Sequence, residues 1–226
     1  MEETKDEHTM TEHVTLIVAG GELSLPFFEQ QLQQYPKHTL IAADRGLEYC
    51  MSVGREPDYV IGDFDSLDEK VREAFLAKET NVTRLSSIKD DTDTEAALQW
   101  AFAHTKGDIY ILGGIGSRMD HVLGNLALLG QGFAHGREIF LLDPHNRIRM
   151  VNHQCIIKKD EQYGKYVSVI PFCGEAKGVS EQGVFYPLNQ ASLQPFTSLG
   201  ISNEIVDEKA VISVEQGVLL VVESKD

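Results

Sequence analysis

Cysteine is scarce in this chain of 226 residues, which has only three, at positions 50, 155 and 173. They lie far apart and form no Cys-x-x-Cys pair, so neither a disulfide framework nor a zinc knuckle fits the sequence. Long apolar runs are also missing, because the longest late one, residues 218–222, is too short to cross a bilayer. We therefore expect a protein of the reducing cytoplasm.

Basic residues are few: 20 Lys and Arg stand against 35 Asp and Glu, giving a formal charge of −15 at pH 7. This balance argues against nucleic acid or an anionic membrane as the main partner. An anionic ligand would need a bridging cation, usually a divalent metal. The polar, acidic residues 1–13 lack the apolar centre of a signal peptide, and we expect a disordered tail there.

Segments typical of strands and helices alternate over residues 14–145. Thr92 and Glu95 form a capping box that predicts a helix to about residue 104, and Ser66 and Glu69 form another. Residues 119–133 are also predicted to be helical. The alternation predicts an α/β domain whose doubly wound, mostly parallel sheet is covered by helices on both faces.

The pattern changes at about residue 146, where short β-rich runs separated by glycines replace the alternation. This pattern predicts a C-terminal all-β sandwich over residues 146–226, with Pro144 and Asn146 marking the turn between the domains. The predicted strands are 148–151, 154–157, 166–172, 184–187, 201–206, 211–214 and 218–222.

Polar or glycine-rich clusters follow four of the predicted parallel strands. They occupy residues 44–46, 62–66, 89–93 and 113–118. Because the carboxyl ends of parallel strands share one edge of the sheet, where ligands bind in α/β proteins, we expect the four clusters to converge.

Aspartates dominate these clusters. Asp63 and Asp65 are two residues apart, so in an extended segment their side chains point the same way. Joined by Asp44 or Asp93, they would form an oxygen-rich site suited to Mg²⁺, completed by phosphate groups of a substrate. The alternative is that these aspartates only cap helices and enrich their first turns.

The glycine-rich segment 113–117 enters the helix predicted from residue 119. Its backbone N–H groups could approach an anion, and Arg118 could hold a phosphate by two hydrogen bonds. A simple turn between strand and helix is the alternative. Lys89 is either a second phosphate contact or a solvated surface lysine, and His121 either a general base or a packed residue of the first helical turn.

Together these motifs resemble the thiamine pyrophosphokinase (thiamin diphosphokinase) family, over nearly the whole chain after the tail. The matching segments are 44–46, 57–58, 62–66, 89–95, 113–121 with Asn125, and 202–204, preceded by an aromatic residue, Tyr186. Ser117 is a departure, since many relatives have glycine there.

The resemblance implies an α/β domain followed by a β-sandwich, and a homodimer with sites between subunits. It also implies transfer of a pyrophosphoryl group from ATP to the hydroxyl of thiamine, which releases AMP. The residues alone support only Mg²⁺-assisted transfer involving a phosphorylated ligand. Two alternatives therefore remain: another Mg²⁺-dependent phosphotransferase or phosphohydrolase, and a non-catalytic module that binds metal or nucleotide.

The resemblance also implies a role for each of the matching residues. The metal ligands would be Asp63, Asp65 and Asp93; the ATP contacts Asp44, Lys89, Thr92, Gly114 and Arg118; and the catalytic set Asp65, Asp93, Arg118 and Asp120. Tyr186 would stack on thiamine, with Ser202 and Asn203 hydrogen-bonding its pyrimidine. Without the resemblance, Ser202 and Asn203 would be interpreted as a β-turn and Tyr186 as a core residue.

Overall fold

The computed structural model describes residues 13–62, 82–84 and 91–226. Contacts divide the chain into two compact units, Met1–Asn125 and Leu126–Asp226. This division falls before the domain boundary predicted at residues 143–146, because strand β6 (Ile139–Leu142) pairs with strand β7 (Asn146–Val151) of the second unit. The domain limits 14–145 and 146–226 stay a prediction.

The first unit contains a parallel sheet. Its strands are β1 (Val14–Val18), β2 (His38–Ala43), β3 (Tyr59–Gly62), β4 (Val82–Arg84) and β5 (Ile109–Leu112), in the order β4-β3-β2-β1-β5. All four neighbouring pairs are parallel. Every residue of β1 and β5 is buried, as expected for strands covered on both faces. An α/β unit before a β-sandwich agrees with the prediction, whereas the doubly wound arrangement stays a prediction.

Four helices of seven or more residues accompany this sheet in the described part of the chain: α1 (Leu25–Gln34), α2 (Gly46–Ser52), α3 (Asp93–His104) and α4 (Met119–Leu128). The capping box at α3 is confirmed, because the Thr92 hydroxyl accepts a hydrogen bond from the Glu95 N–H at 3.2 Å. The second box, Ser66 to Glu69, lies outside the described residues.

Helix α3 also carries the chain's single tryptophan. The Trp100 ring stacks on Tyr59 of β3 at 4.0 Å between centroids and on His104 at 4.5 Å. The contact with Tyr59 attaches α3 to the sheet, and the contact with His104 lies within the helix itself.

The helix predicted over residues 119–133 is confirmed to Leu128 but does not continue unbroken beyond it. Helix α4 ends at Leu128 and is followed by a 3₁₀ turn (Leu129–Gln131) and a short helix, α5 (Gly132–His135). Glycine disfavours a continuous helix, and Gly132 is needed here, since a Cβ atom would lie 2.3 Å from the Arg137 carbonyl oxygen.

The second unit is a β-sandwich. After β6 and β7 come β8 (Gln154–Lys158), β9 (Tyr166–Gln182), β10 (Leu188–Leu193), β11 (Asn203–Glu204), β12 (Lys209–Ser213) and β13 (Gln216–Ser224). The first part of β9 pairs with β13 and β11, and its second part with β10 and β12. Residues from both layers, including Val169, Val179 and Val221, form one buried core.

Two strands of the sandwich were not predicted at full length. The strand predicted at 166–172 continues to Gln182, and β10 was missed. Gly178 lies within β9 at φ +66°, so a glycine in this segment does not end the strand. The predicted strand 184–187 is only a bridge from Val184 to Ile205, and 201–206 reduces to β11.

Among the described residues, no helix has the length and apolarity that would be needed to span a membrane.

A carboxyl group is buried within the sandwich. Glu181 of β9 is 0% exposed, and its Oε2 accepts a hydrogen bond from Asn203 Nδ2 at 3.3 Å. Its Oε1 has no hydrogen-bond partner in the described part of the chain. Burial raises the pKa of Glu181 from its ordinary 4.5 to about 7, although the bond from Asn203 acts in the opposite direction.

This carboxyl group should make stability depend on pH. Between pH 4.5 and 7 the folded state holds a proton on Glu181 that the unfolded state releases, so its contribution to stability is lost as the pH rises. One pKa unit corresponds to about 1.4 kcal/mol, and the loss should total a few kcal/mol. Urea unfolding of the parent and of Glu181→Gln across this range measures it. The parent should lose stability relative to the variant; two parallel pH profiles would contradict the assignment.

Candidate functional site

A cavity of about 700 Å³ opens in the first unit, at the edge where parallel strands end. Its walls come from the residues after β1, β2 and β5, and from the first turns of α3 and α4. Three of the four predicted clusters therefore meet in one place. The fourth, at residues 62–66, lies outside the described residues except for Gly62.

Five predicted site residues line this cavity: Asp44, Thr92, Asp93, Gly114 and Arg118. Three others, Asp63, Asp65 and Lys89, lie outside the described residues. Asp120 stands next to the cavity through its contact with Arg118. The predicted acceptor residues Tyr186, Ser202 and Asn203 belong to the second unit.

Asp44 is held in an unusual backbone conformation directly after β2. Its φ is +48°, a region that non-glycine residues enter at a cost of about 1 kcal/mol or more, and aspartate more readily than most. Its N–H donates to the Ile61 carbonyl at 2.8 Å, and its own carbonyl accepts from the Leu47 N–H at 3.1 Å. The half-buried residue is therefore fixed from both sides at the cavity wall.

Two glycine turns form another part of the wall. The Gly21 N–H donates to the Gly113 carbonyl at 3.0 Å, which joins the turn after β1 to the turn after β5. A Cβ atom at Gly21 would lie 2.3 Å from that same carbonyl oxygen, so only glycine fits. The Tyr49 hydroxyl donates to the Gly21 carbonyl, and Asn125 Nδ2 to the Gly114 carbonyl, each at 2.8 Å.

Sequence reasoning did not assign the first of these turns to the site, and it missed the support of that turn. Gly20 and Gly21 are absent from the predicted clusters, although they follow β1 in the same way that those clusters follow other strands. Tyr49 was missed because no motif marks it. Asn125 was noted within the resemblance without a role, and its contact with Gly114 now supplies one.

Two helix N-termini face the cavity. Thr92, Asp93 and Thr94 at the start of α3 line it, as do Ser117 and Arg118 before α4. Helix N-termini carry partial positive charge and favour anions. The same wall carries the carboxylates of Asp44 and Asp93, so the cavity is suited to an anion and a cation together.

Arg118 forms an ion pair with Asp120. Its Nη2 lies 2.6 Å from Oδ2 of Asp120, and its Nε donates to Oδ1 at 3.3 Å. This hydrogen bond lowers the pKa of the Asp120 carboxyl to about 2 and raises the pKa of Arg118. Both side chains are exposed, so the pair sets the direction of the guanidinium more than it stabilises the fold.

The predicted metal site is only partly within the described residues. In that part of the chain, no three His, Cys, Asp or Glu side chains form a group that could hold a metal ion. Two of the three predicted ligands, Asp63 and Asp65, are not included. The carboxylate donors at the cavity, Asp44 and Asp93, are of the kind that Mg²⁺ prefers, so the donor chemistry fits the ion.

The three predicted acceptor residues differ in exposure. Tyr186 is 68% exposed and its ring meets Phe185 edge-on at 4.8 Å, which excludes the alternative of a sandwich core residue. Ser202 is exposed at φ +59°, and its N–H donates to Ser168 Oγ at 2.9 Å. Asn203 is only 3% exposed and makes all its hydrogen bonds within the second unit.

Comparison with family models assigns both parts of the chain. Residues 31–141 match the model described as thiamin pyrophosphokinase, catalytic domain. Residues 153–219 match the model described as thiamin pyrophosphokinase, vitamin B1 binding domain. The cavity residues described here, from Asp44 to Asn125, fall in the first match, and Glu181, Tyr186 and Asn203 in the second.

Individual proteins agree with these matches. Thiamine pyrophosphokinase of Bacillus subtilis (strain 168) is 35% identical over 213 residues, covering 93% of this chain and 98% of the relative. A crystal structure of the thiamine pyrophosphokinase from Bacillus subtilis superposes with a TM-score of 0.84 at 32% identity, over 94% of this chain and 99% of the other. The structure from Geobacillus thermodenitrificans gives 0.82 at 30% identity, over 94% and 98%. The chain belongs to the thiamine pyrophosphokinase family.

Proposed function

We propose that this protein transfers the pyrophosphoryl group of ATP to the hydroxyl of thiamine, giving thiamine diphosphate and AMP. The observation that carries the proposal is the cavity at the edge of the parallel sheet, where carboxylates including Asp44 and Asp93 meet two glycine turns and two helix N-termini. All of its lining residues except Ala19, Gly20, Gly21 and Glu22 lie in the segment matched by the catalytic-domain model.

ATP is proposed to bind at this cavity, with Asp44, Lys89, Thr92, Gly114 and Arg118 as its contacts. The glycine turns leave room for a phosphate beside the backbone, and the first turns of α3 and α4 supply partial positive charge. Arg118, aligned by Asp120, offers a planar fork for phosphate oxygens. Phosphoryl transfer is mostly a matter of position and charge neutralisation, which such a wall provides.

Mg²⁺ is proposed to be held by Asp63, Asp65 and Asp93. Bound there, it would neutralise charge on the phosphate oxygens. Support comes from the carboxylates at the wall: Asp93 begins a helix at the cavity, and Asp44 is fixed beside it in a strained backbone conformation. The net charge of −15 also supports a bound cation, because the protein would repel ATP that carried none.

Thiamine is proposed to bind at the β-sandwich, with Tyr186 as the stacking ring and Ser202 as a hydrogen-bonding partner. An exposed aromatic face suits the flat pyrimidine and the cationic thiazolium, at roughly 0.5–2 kcal/mol for a cation–π contact. Asn203, whose amide is fully engaged by its own unit, would act on the ring through Tyr186. We further propose a homodimer with sites between subunits, in the cytoplasm.

The proposal is tested by incubating the protein with ATP, Mg²⁺ and thiamine and measuring AMP and thiamine diphosphate together. Equal amounts of the two products are expected. ADP with thiamine monophosphate would indicate a different phosphotransferase, and inorganic phosphate without any thiamine product a phosphohydrolase. Tight ATP binding without turnover would indicate a non-catalytic module.

Replacing Asp93 by Asn should remove most of the turnover. The amide keeps the shape of the side chain but loses the charge that would balance Mg²⁺, and a hundredfold loss corresponds to about 2.7 kcal/mol of barrier. The measurement is kcat as a function of Mg²⁺ concentration, for which the variant should need more metal. Asp91→Asn is the matched control, because Asp91 contributes the same charge to the same cavity. An equal loss in both variants would refute a specific role for Asp93.

Replacing Tyr49 by Phe should weaken ATP binding. The change removes only the hydroxyl that donates to Gly21, a hydrogen bond worth about 0.5–1.5 kcal/mol, so the KM for ATP should rise roughly two- to tenfold. The KM for thiamine should stay within twofold. Tyr35→Phe removes a hydroxyl outside the cavity and serves as the control. An unchanged KM for ATP in Tyr49→Phe would show that the turn keeps its shape without the hydrogen bond from Tyr49.

A further inference from the structure

Outside the cavity, the most unusual group is the buried carboxyl of Glu181. It lies in the second part of β9, with no exposed surface and no hydrogen-bond partner for Oε1 in the described residues. Removing a carboxyl group from water without full compensation is unfavourable. In the described residues, the hydrogen bond from Asn203 is what compensates the buried carboxyl group.

The Glu181 side chain accepts its hydrogen bond from Asn203, whose amide is fully used. Its Oδ1 accepts from the Tyr186 N–H at 2.9 Å and from the Glu204 N–H at 3.0 Å. Its Nδ2 donates to the Tyr186 carbonyl at 2.8 Å and to Oε2 of Glu181 at 3.3 Å. An amide can form four such bonds, two as donor and two as acceptor, and Glu181 supplies one of the two acceptors.

These bonds hold the main chain of Tyr186 at both its N–H and its carbonyl. The neighbouring residue is held as well, since the Phe185 N–H donates to the Glu204 carbonyl at 2.9 Å. The backbone at Tyr186 is therefore fixed while its ring projects from the surface. The position of the ring depends on the Asn203 amide, and the orientation of that amide depends in part on Glu181.

We propose that Glu181 is a positioning residue for the acceptor side of the reaction: by accepting the second N–H of Asn203, it fixes the amide that holds the Tyr186 main chain. The inference rests on the proposed function, in which Tyr186 stacks on thiamine. Glu181 does not contact the substrate; it acts through Asn203.

Two substitutions separate the acceptor from the bulk of the side chain. Glu181→Gln keeps a carbonyl oxygen for Asn203, whereas Glu181→Leu keeps the volume and removes the acceptor. Val179→Ala is the matched control, because Val179 is a buried core residue of the same strand whose apolar side chain cannot hydrogen-bond to Asn203. It reports the effect of general destabilisation.

The first readout is hydrogen exchange of the Tyr186 amide in the ligand-free protein. In Glu181→Leu this exchange should accelerate at least tenfold, with the amide of Val221 in β13 unchanged; Glu181→Gln and Val179→Ala should stay within threefold of the parent. The second readout is kinetic. The KM for thiamine should rise at least fivefold in Glu181→Leu and be restored to within twofold in Glu181→Gln, while the KM for ATP stays unchanged.

Unchanged exchange at Tyr186 in Glu181→Leu would overturn the inference, as would faster exchange with no change in the KM for thiamine. If Glu181→Leu fails to fold, Glu181→Met tests the same link: it also removes the acceptor, keeps an unbranched and adaptable side chain, leaves the bonds between Asn203 and Tyr186 in place, and should accelerate exchange at Tyr186 at least tenfold. If the parent makes no thiamine diphosphate, the proposed function fails. The exchange comparison still decides whether Glu181 positions Tyr186.

Discussion

The close approach of backbone to backbone at the carboxyl edge of the parallel sheet is the constraint on which the site depends. A Cβ atom at Gly46 would lie 1.8 Å from the Val18 carbonyl oxygen, and one at Gly21 would lie 2.3 Å from that of Gly113. Helix α2 can therefore begin directly beside the end of β1. That placement carries Tyr49 to the Gly21 carbonyl and fixes Asp44 between β2 and α2. Backbone packing therefore requires glycine at these positions, whatever ligand the cavity binds.

Electrostatics at the cavity combine two opposing elements. The N-termini of α3 and α4 favour negative charge, and Asp44 and Asp93 supply carboxylates to the same wall. An anion alone would be repelled by the carboxylates, and a cation alone would be disfavoured by the helix N-termini. A nucleotide with its metal ion does, which links the local geometry to the strong negative charge of the whole chain. The pair formed by Arg118 and Asp120 adds a cation that is already aligned.

The sequence was most informative where local chemistry decides the structure. The cap at Thr92 follows from a hydrogen bond between residues three positions apart, and the buried parallel strands follow from their apolar runs. The convergence of Asp44, Asp93 and Arg118 follows from the rule that parallel strands end at one edge. Long-range geometry was not accessible in this way. The strand β9 continues past Gly178, where the sequence resembles a strand end, and three of the four bonds of Asn203 join it to residues that no local pattern relates. The hydrogen bond from Tyr49 to Gly21 joins residues 28 positions apart, and no motif marks Tyr49.

The stack of Tyr59, Trp100 and His104 gives the first unit an internal optical probe. Trp100 is the only tryptophan in the chain and lies on α3, whose first turn forms part of the cavity wall. Its emission depends on its contact with the Tyr59 ring at 4.0 Å and with His104. Any ligand that shifts this helix against the sheet changes the surroundings of that single fluorophore. With excitation selective for tryptophan, ligand titrations of the unlabelled protein can thus follow the surroundings of α3.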